Sequence, residues 1–164
     1  MSVGGMFRPG MRAYAVPLVA GAALAASAFL PWVNVSGEAI RGYPDTMSLW
    51  VIGLGSFASV LAVLSLITRK NSRHPLLVVG LVALGIMLLS WRIMPMAAGD
   101  RALTVSQAIA IVDDTPMVTS SDAAAGSGIY VGLAASIVIV GFGLTIIFKR
   151  VARPYVVVDP DDDV

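Results

Sequence analysis

The segment Thr46–Thr68, TMSLWVIGLGSFASVLAVLSLIT, carries no charge from end to end. It is followed by Arg69-Lys70-Asn71-Ser72-Arg73 and then by Pro75–Trp91, PLLVVGLVALGIMLLSW, again uncharged. A bilayer core of about 30 Å needs about 20 helical residues at about 1.5 Å each. Two apolar runs of that order joined by a short basic link read as a pair of membrane helices with the link on the cytoplasmic side.

Working outward, two further uncharged runs flank this pair, from Ala13 to Gly37 and from Ala123 to Phe148. The predicted spans are about 13–33, 48–68, 75–95 and 128–148. The third is the shortest and continues past Trp91 by letting the Arg92 guanidinium reach the interface. The whole composition agrees. Of 164 residues 57% are apolar and 13% charged, with a mean hydropathy of +0.86. Soluble domains are about 45–50% apolar and about 25% charged, so a soluble enzyme domain and a disordered chain are both excluded. The chain reads as an all-α polytopic membrane protein, a four-helix bundle over residues 1–148 with a tail over 149–164.

The first run also has a signal-peptide look, with Arg8 and Arg12 before it and Ala26-Ser27-Ala28 near its end. Its apolar run continues through Phe29-Leu30-Pro31-Trp32-Val33, long enough to span, so it is read as an uncleaved helix.

Charge sets the orientation. Arg8, Arg12, Arg69, Lys70, Arg73, Lys149, Arg150 and Arg153 all fall on one side of these spans. The other side has Arg41, Arg92 and Arg101 against Glu38, Asp45, Asp100, Asp113, Asp114 and Asp122. Basic residues stay inside, so both termini are expected in the cytoplasm, which an even number of spans also requires. The expected location is a cell inner membrane. Trp32, Trp50, Trp91 and Tyr130 then share the outer interface, where amphipathic rings are favoured.

Helices in lipid associate through close packing of small residues. Gly128, Gly132 and Ser136 form such a face on the fourth span, Gly21 and Ala25 on the first, and Gly55 and Ser59 on the second. These residues serve either packing within the bundle or docking of another membrane subunit.

Residues 96–127 form a long outer loop. Thr104-Val105-Ser106-Gln107 has the pattern of a capping box, which predicts a separate surface helix over about 104–113 with Thr104 as its N-cap. Thr119 to Ser127 is small and polar and reads as a flexible return. Pro31-Trp32-Val33-Asn34-Val35-Ser36 alternates and suggests a short extended segment. In the tail, Tyr155-Val156-Val157-Val158 has the makings of a strand added to a partner's sheet edge, ahead of the acidic Asp159 and Asp161 to Asp163.

Chemistry is scarce. There is no cysteine and one histidine, His74, so thiolate sites and multi-histidine metal or haem sites are excluded. No ionisable group lies deep in a span, which argues against a proton relay or a coupled ion site. No catalytic residue, metal or cofactor is expected, and nothing points to nucleic acid. One constellation stands out. Trp32, Trp50, Trp91, Arg92 and Tyr130 lie at one depth, as an interfacial belt or as an outer-leaflet site for a lipid, quinone or pigment headgroup.

The stretch Phe29-Leu30-Pro31-Trp32-Val33-Asn34-Val35-Ser36-Gly37, with the Gly-rich second span and basic link behind it, resembles small bacterial four-span inner-membrane proteins of uncharacterised function. These carry Pro-Trp at the end of their first span. The resemblance covers spans 1 to 3 and implies a bacterial inner-membrane protein without indicating an activity. The leading expectation is a non-catalytic accessory subunit of a larger membrane complex, of respiratory or photosynthetic type. The alternatives are a small-ligand or lipid binder at the outer aromatic residues, and a transporter component completed by a partner chain.

Overall fold

The computed structural model describes residues 13–68, 73–114, 116 and 122–151, with side chains through residue 145. Its elements in chain order are α1 (Ala15–Ser27), β1 (Pro31–Val35), β2 (Glu38–Arg41), α2 (Thr46–Thr68), α3 (Arg73–Asp113), β3 (Ala123–Ala125) and α4 (Ser127–Val151). The four helices pack as a ring in which α1 lies between α2 and α4, and α3 closes it against both. Among the described residues α2, α3 and α4 are long and apolar enough to cross a membrane, and α1 is a shorter apolar helix of 13 residues. Outward-facing side chains such as Val63, Leu81 and Ile137 are exposed, consistent with a bilayer around them. The tail strand at Tyr155 to Val158, the acidic run and the link at 69–72 lie outside the described residues.

The first helix is shorter than its apolar run predicts, because Pro31 stops it. The N–H groups of Ala28, Phe29 and Leu30 bond to the carbonyls three residues back, at Ala25, Ala26 and Ser27. The last turn therefore tightens as helix ends do, and the residue before a proline is pushed out of the helical region. Trp32 and Val33, expected in span 1, belong to β1 instead. The extended segment suggested by the alternation at 31–36 is present.

That strand is the centre of a small antiparallel sheet in the order β2-β1-β3. Val33, Asn34 and Val35 pair with Ile40, Ala39 and Glu38 on one side, and with Ala125, Ala124 and Ala123 on the other. Ser36 and Gly37 both have positive φ, 51° and 86°, the two-residue geometry whose twist matches a hairpin. The return at 119–127 thus ends in an ordered strand. The Ser36 N–H donates to Asp122 O at 2.9 Å and the Gly126 N–H to Trp32 O at 2.7 Å, so the sheet ties the two loops at this end of the bundle together.

Asp45 starts α2. Its carboxylate accepts the Met47 N–H at 3.0 Å, and its carbonyl accepts the Ser48 hydroxyl at 2.7 Å. This is an N-cap that satisfies an orphan helix donor. Asp45→Ala is expected to lower stability by about 1 kcal/mol, and Asp45→Asn by much less. Thermal unfolding of both variants in the same detergent measures the difference.

The largest departure from expectation is α3. The predicted surface helix at 104–113 does not exist as a separate element. The third helix runs unbroken through Pro95 for 41 residues, about 62 Å at the helical rise, roughly twice a bilayer core. Thr104 caps nothing. Its hydroxyl donates to Asp100 O, one turn back, at 2.8 Å, as a threonine does inside a helix. Pro95 removes the N–H that would bond to Trp91 O. Packing outweighs that loss, because Met94, Ala98 and Ala102 of the same helix face rest on the core. A Cβ on Gly99 would lie 3.4 Å from Ala123 Cβ, so β3 rests on the extended helix at that turn.

A candidate ligand cavity between the hairpin and the third helix

The small-residue faces identified in the sequence are occupied within the bundle. A Cβ on Gly21 would lie 2.8 Å from Gly55 O and 2.6 Å from Ser59 Oγ, and one on Gly55 2.6 Å from Ala25 N. Thus Gly21, Ala25, Gly55 and Ser59 form the α1–α2 contact. On α4, a Cβ on Gly128 would lie 2.6 Å from Trp32 Cδ1, and one on Gly132 would meet Met87 Cε of α3. Ser136 is fully buried, and its hydroxyl donates to Gly132 O at 2.7 Å. Each of these glycines is therefore packed against a neighbouring element of the bundle.

The five interfacial residues part company. Trp32 is 1% exposed. Its indole N–H donates to Ser27 O at 2.9 Å, and its ring lies between Gly42 and Gly128, each so close that a Cβ would come within 2.6 Å. Trp50, Trp91 and Tyr130 are 62%, 46% and 55% exposed, and Arg92 is exposed as well. Helical period explains the split on α3. Positions three and four apart share a face, so the inward stripe of Met87, Ser90 and Met94 turns Trp91 and Arg92 outward. Those four residues therefore face away from the core.

Trp32 instead forms part of the wall of a cavity of about 720 Å³. One side is the β1–β2 hairpin and the start of α2, with Val33, Ile40 and Met47. The other is the face of α3 from Leu89 to Ile109, with Ile93, Met94 and Ala97. The wall is mostly apolar, with four charged residues, Glu38, Arg41, Asp45 and Arg101, all of them exposed. Ser90 also lies in the wall, and its buried hydroxyl has no hydrogen-bond partner. Asp45 is engaged as the α2 cap. Among the described residues neither Arg41 nor Arg101 forms an ion pair, although both border the same space.

A second concavity is an open groove of about 600 Å³ between α1 and α4, lined by alanines and valines that include Val19, Ala23 and Val138. At the opposite end of the bundle from the sheet, the Tyr14 and Phe142 rings meet edge to face at 5.1 Å, and the Arg73 guanidinium lies 5.5 Å from the Phe142 ring centre, within cation–π range. His74 is exposed beside it. Among the described residues no group of three His, Asp or Glu side chains is placed to hold a metal ion.

The cavity residues Arg41, Met94, Ala97 and Arg101 were not among the sequence candidates. For the three on α3 the signal was present in the stripe Ser90, Ile93, Met94, Ala97, Arg101, Val105 and Ile109, which keeps helical spacing straight through Pro95; Arg41 had none. The cavity is a mostly apolar slot with a few charged residues in its lining, of a size that suits a small organic molecule. No family model matches the chain, and comparison with curated proteins and with solved structures finds no match either.

Proposed function

We propose that this is a membrane protein that holds an amphiphilic small molecule in the cavity between the hairpin and α3, and that it carries out no chemistry on it. The carrying observation is the cavity itself. Its volume lies within the range of about 300–1,000 Å³ typical of ligand sites, and its walls are mostly apolar with four exposed charged residues among them. In this reading α1 is the fourth crossing. Tyr14 at its start touches Phe142, while Ser27 at its end meets Trp32, so α1 reaches from one end of the bundle to the other. The basic residues Arg69, Lys70 and Arg73 then put the sheet on the outer side of a bacterial inner membrane, with both termini inside.

Native mass spectrometry of the full chain, released gently from its own membrane, tests the proposal. The expected spectrum shows a lipid-like adduct that survives mild activation. Ala97→Trp, which fills the slot, removes it while the protein stays monodisperse. A bare wild-type chain, or an adduct indifferent to Ala97→Trp, contradicts the reading.

The accessory-subunit reading retains one favouring observation, the groove between α1 and α4. It is apolar and open, running along the first turns of α1 against residues 131–138 of α4, where a partner's helix fits. Co-purification of stoichiometric membrane subunits, lost on Val19→Trp, supports that reading over the first.

A further inference from the structure

Resting on the cavity reading, we infer that the bound molecule carries an anionic headgroup, a phosphate or a carboxylate, held by Arg41 and Arg101. The two arginines come from opposite walls. Arg41 ends β2 and Arg101 lies on the extended half of α3, and both line the one cavity. Neither has a carboxylate partner among the described residues. A guanidinium presents planar paired donors that match a carboxylate or phosphate, and such charge-assisted bonds are the stronger kind.

The lining carboxylates, Glu38 and Asp45, equal the arginines in number, so selectivity for an anion rests on geometry and not on net charge. Asp45 points its carboxylate at the Met47 N–H of its own helix and keeps its charge. Glu38 is the lining carboxylate without a hydrogen bond among the described residues. The apolar residues on either side of the arginines, Ile93 and Met94 toward the bundle and Val105 and Ile109 beyond, would cover a hydrocarbon chain. A neutral apolar ligand would use those walls and leave both arginines idle. A free inorganic anion would use the arginines and leave the walls wet.

The experiment is a competition read by native mass spectrometry on the full chain in neutral detergent. The probes are phosphatidylglycerol and phosphatidylcholine with identical acyl chains, then oleate against oleyl alcohol, then inorganic phosphate alone. The wild-type chain is expected to prefer phosphatidylglycerol over phosphatidylcholine by about tenfold, a size suited to two partly exposed ion pairs. Arg41→Gln with Arg101→Gln abolishes the preference, the two lysine replacements keep part of it, and Glu38→Gln increases it.

Binding of phosphatidylglycerol but not oleate assigns the phosphate, and the reverse assigns the carboxylate. Equal binding of charged and uncharged lipids, or a preference that survives the double glutamine variant, overturns the inference. The cavity reading then stands if Ala97→Trp still removes every adduct, and falls if no lipid binds the wild-type chain. Retention of inorganic phosphate alone as tightly as of the lipids also overturns it, since the apolar walls would then contribute nothing.

Discussion

Gly55→Val is expected to break the contact between α1 and α2 and to cost the chain most of its folded population in mild detergent. The added side chain has nowhere to go. The first Cβ already falls 2.6 Å from Ala25 N and 2.7 Å from Gly21 O, and these are backbone atoms of a helix that cannot yield without moving as a whole. Overpacking a tight interior costs about 1–3 kcal/mol even where side chains can shift, so a clash with backbone belongs at or beyond the upper end. Lipid supplies no compensating hydrophobic drive between helices, which makes close approach at glycine the principal attraction. Gly53, two residues earlier, has nothing within 4 Å of its would-be Cβ. Gly53→Ala should therefore change stability by less than about 0.5 kcal/mol. Thermal unfolding and the monodisperse fraction of the two variants test the argument as a pair. Equal behaviour would show that the α1–α2 contact is not tight.

Trp32→Ala is expected to destabilise the protein by about 3–5 kcal/mol, as loss of a buried large aromatic does, and to open the sheet end of the bundle. Trp32 joins three parts of the structure. Its backbone O accepts the Gly126 N–H that anchors β3, its indole bonds to the end of α1, and its ring fills the space between Gly42 and Gly128. Truncation leaves a void against two glycines that have no side chains to collapse into it. Trp32→Phe keeps most of the apolar area and loses the hydrogen bond, so it should cost about 1 kcal/mol from that bond plus a smaller cavity term. Because Trp32 also lines the ligand slot, the alanine variant should lose the lipid adduct at temperatures where the protein is still folded. Native mass spectrometry below the unfolding transition checks this. A fully retained adduct would remove Trp32 from the wall.

The long apolar helices were readable because their cause is local. An uncharged run of sufficient length dictates a helix in lipid, and Gly21, Gly55, Gly128 and Gly132 announce close approach by their spacing. The alternation at Pro31 to Ser36 also announced its strand, yet the apolar content of the same residues argued for a longer first span. Pro31 decides between them, by a restriction on backbone angles that hydropathy does not count. Thr104 shows the opposite failure. Its capping pattern is a valid local signal, overruled by tertiary packing of Met94, Ala98 and Ala102 and by β3 resting at Gly99. The cavity was hidden for a different reason. Its walls come from two distant segments, 32–47 and 89–109, and only the fold brings Arg41 and Arg101 to one cavity. Trp50, Trp91, Arg92 and Tyr130 were expected at one depth with Trp32, but depth does not say which way a side chain faces.

The most direct test of the ligand cavity is photocrosslinking in native membranes with a phospholipid bearing a diazirine near the middle of one acyl chain. The crosslinked peptides are then mapped by mass spectrometry. Every lipid-facing surface takes some label, including those at Val63, Leu81 and Ile137. The account predicts a separate set, saturable by unlabelled lipid, confined to peptides covering 32–47 and 89–109 and abolished by Ala97→Trp. Labelling spread over the lipid-facing helix surfaces, with no saturable label on those two segments, would contradict it.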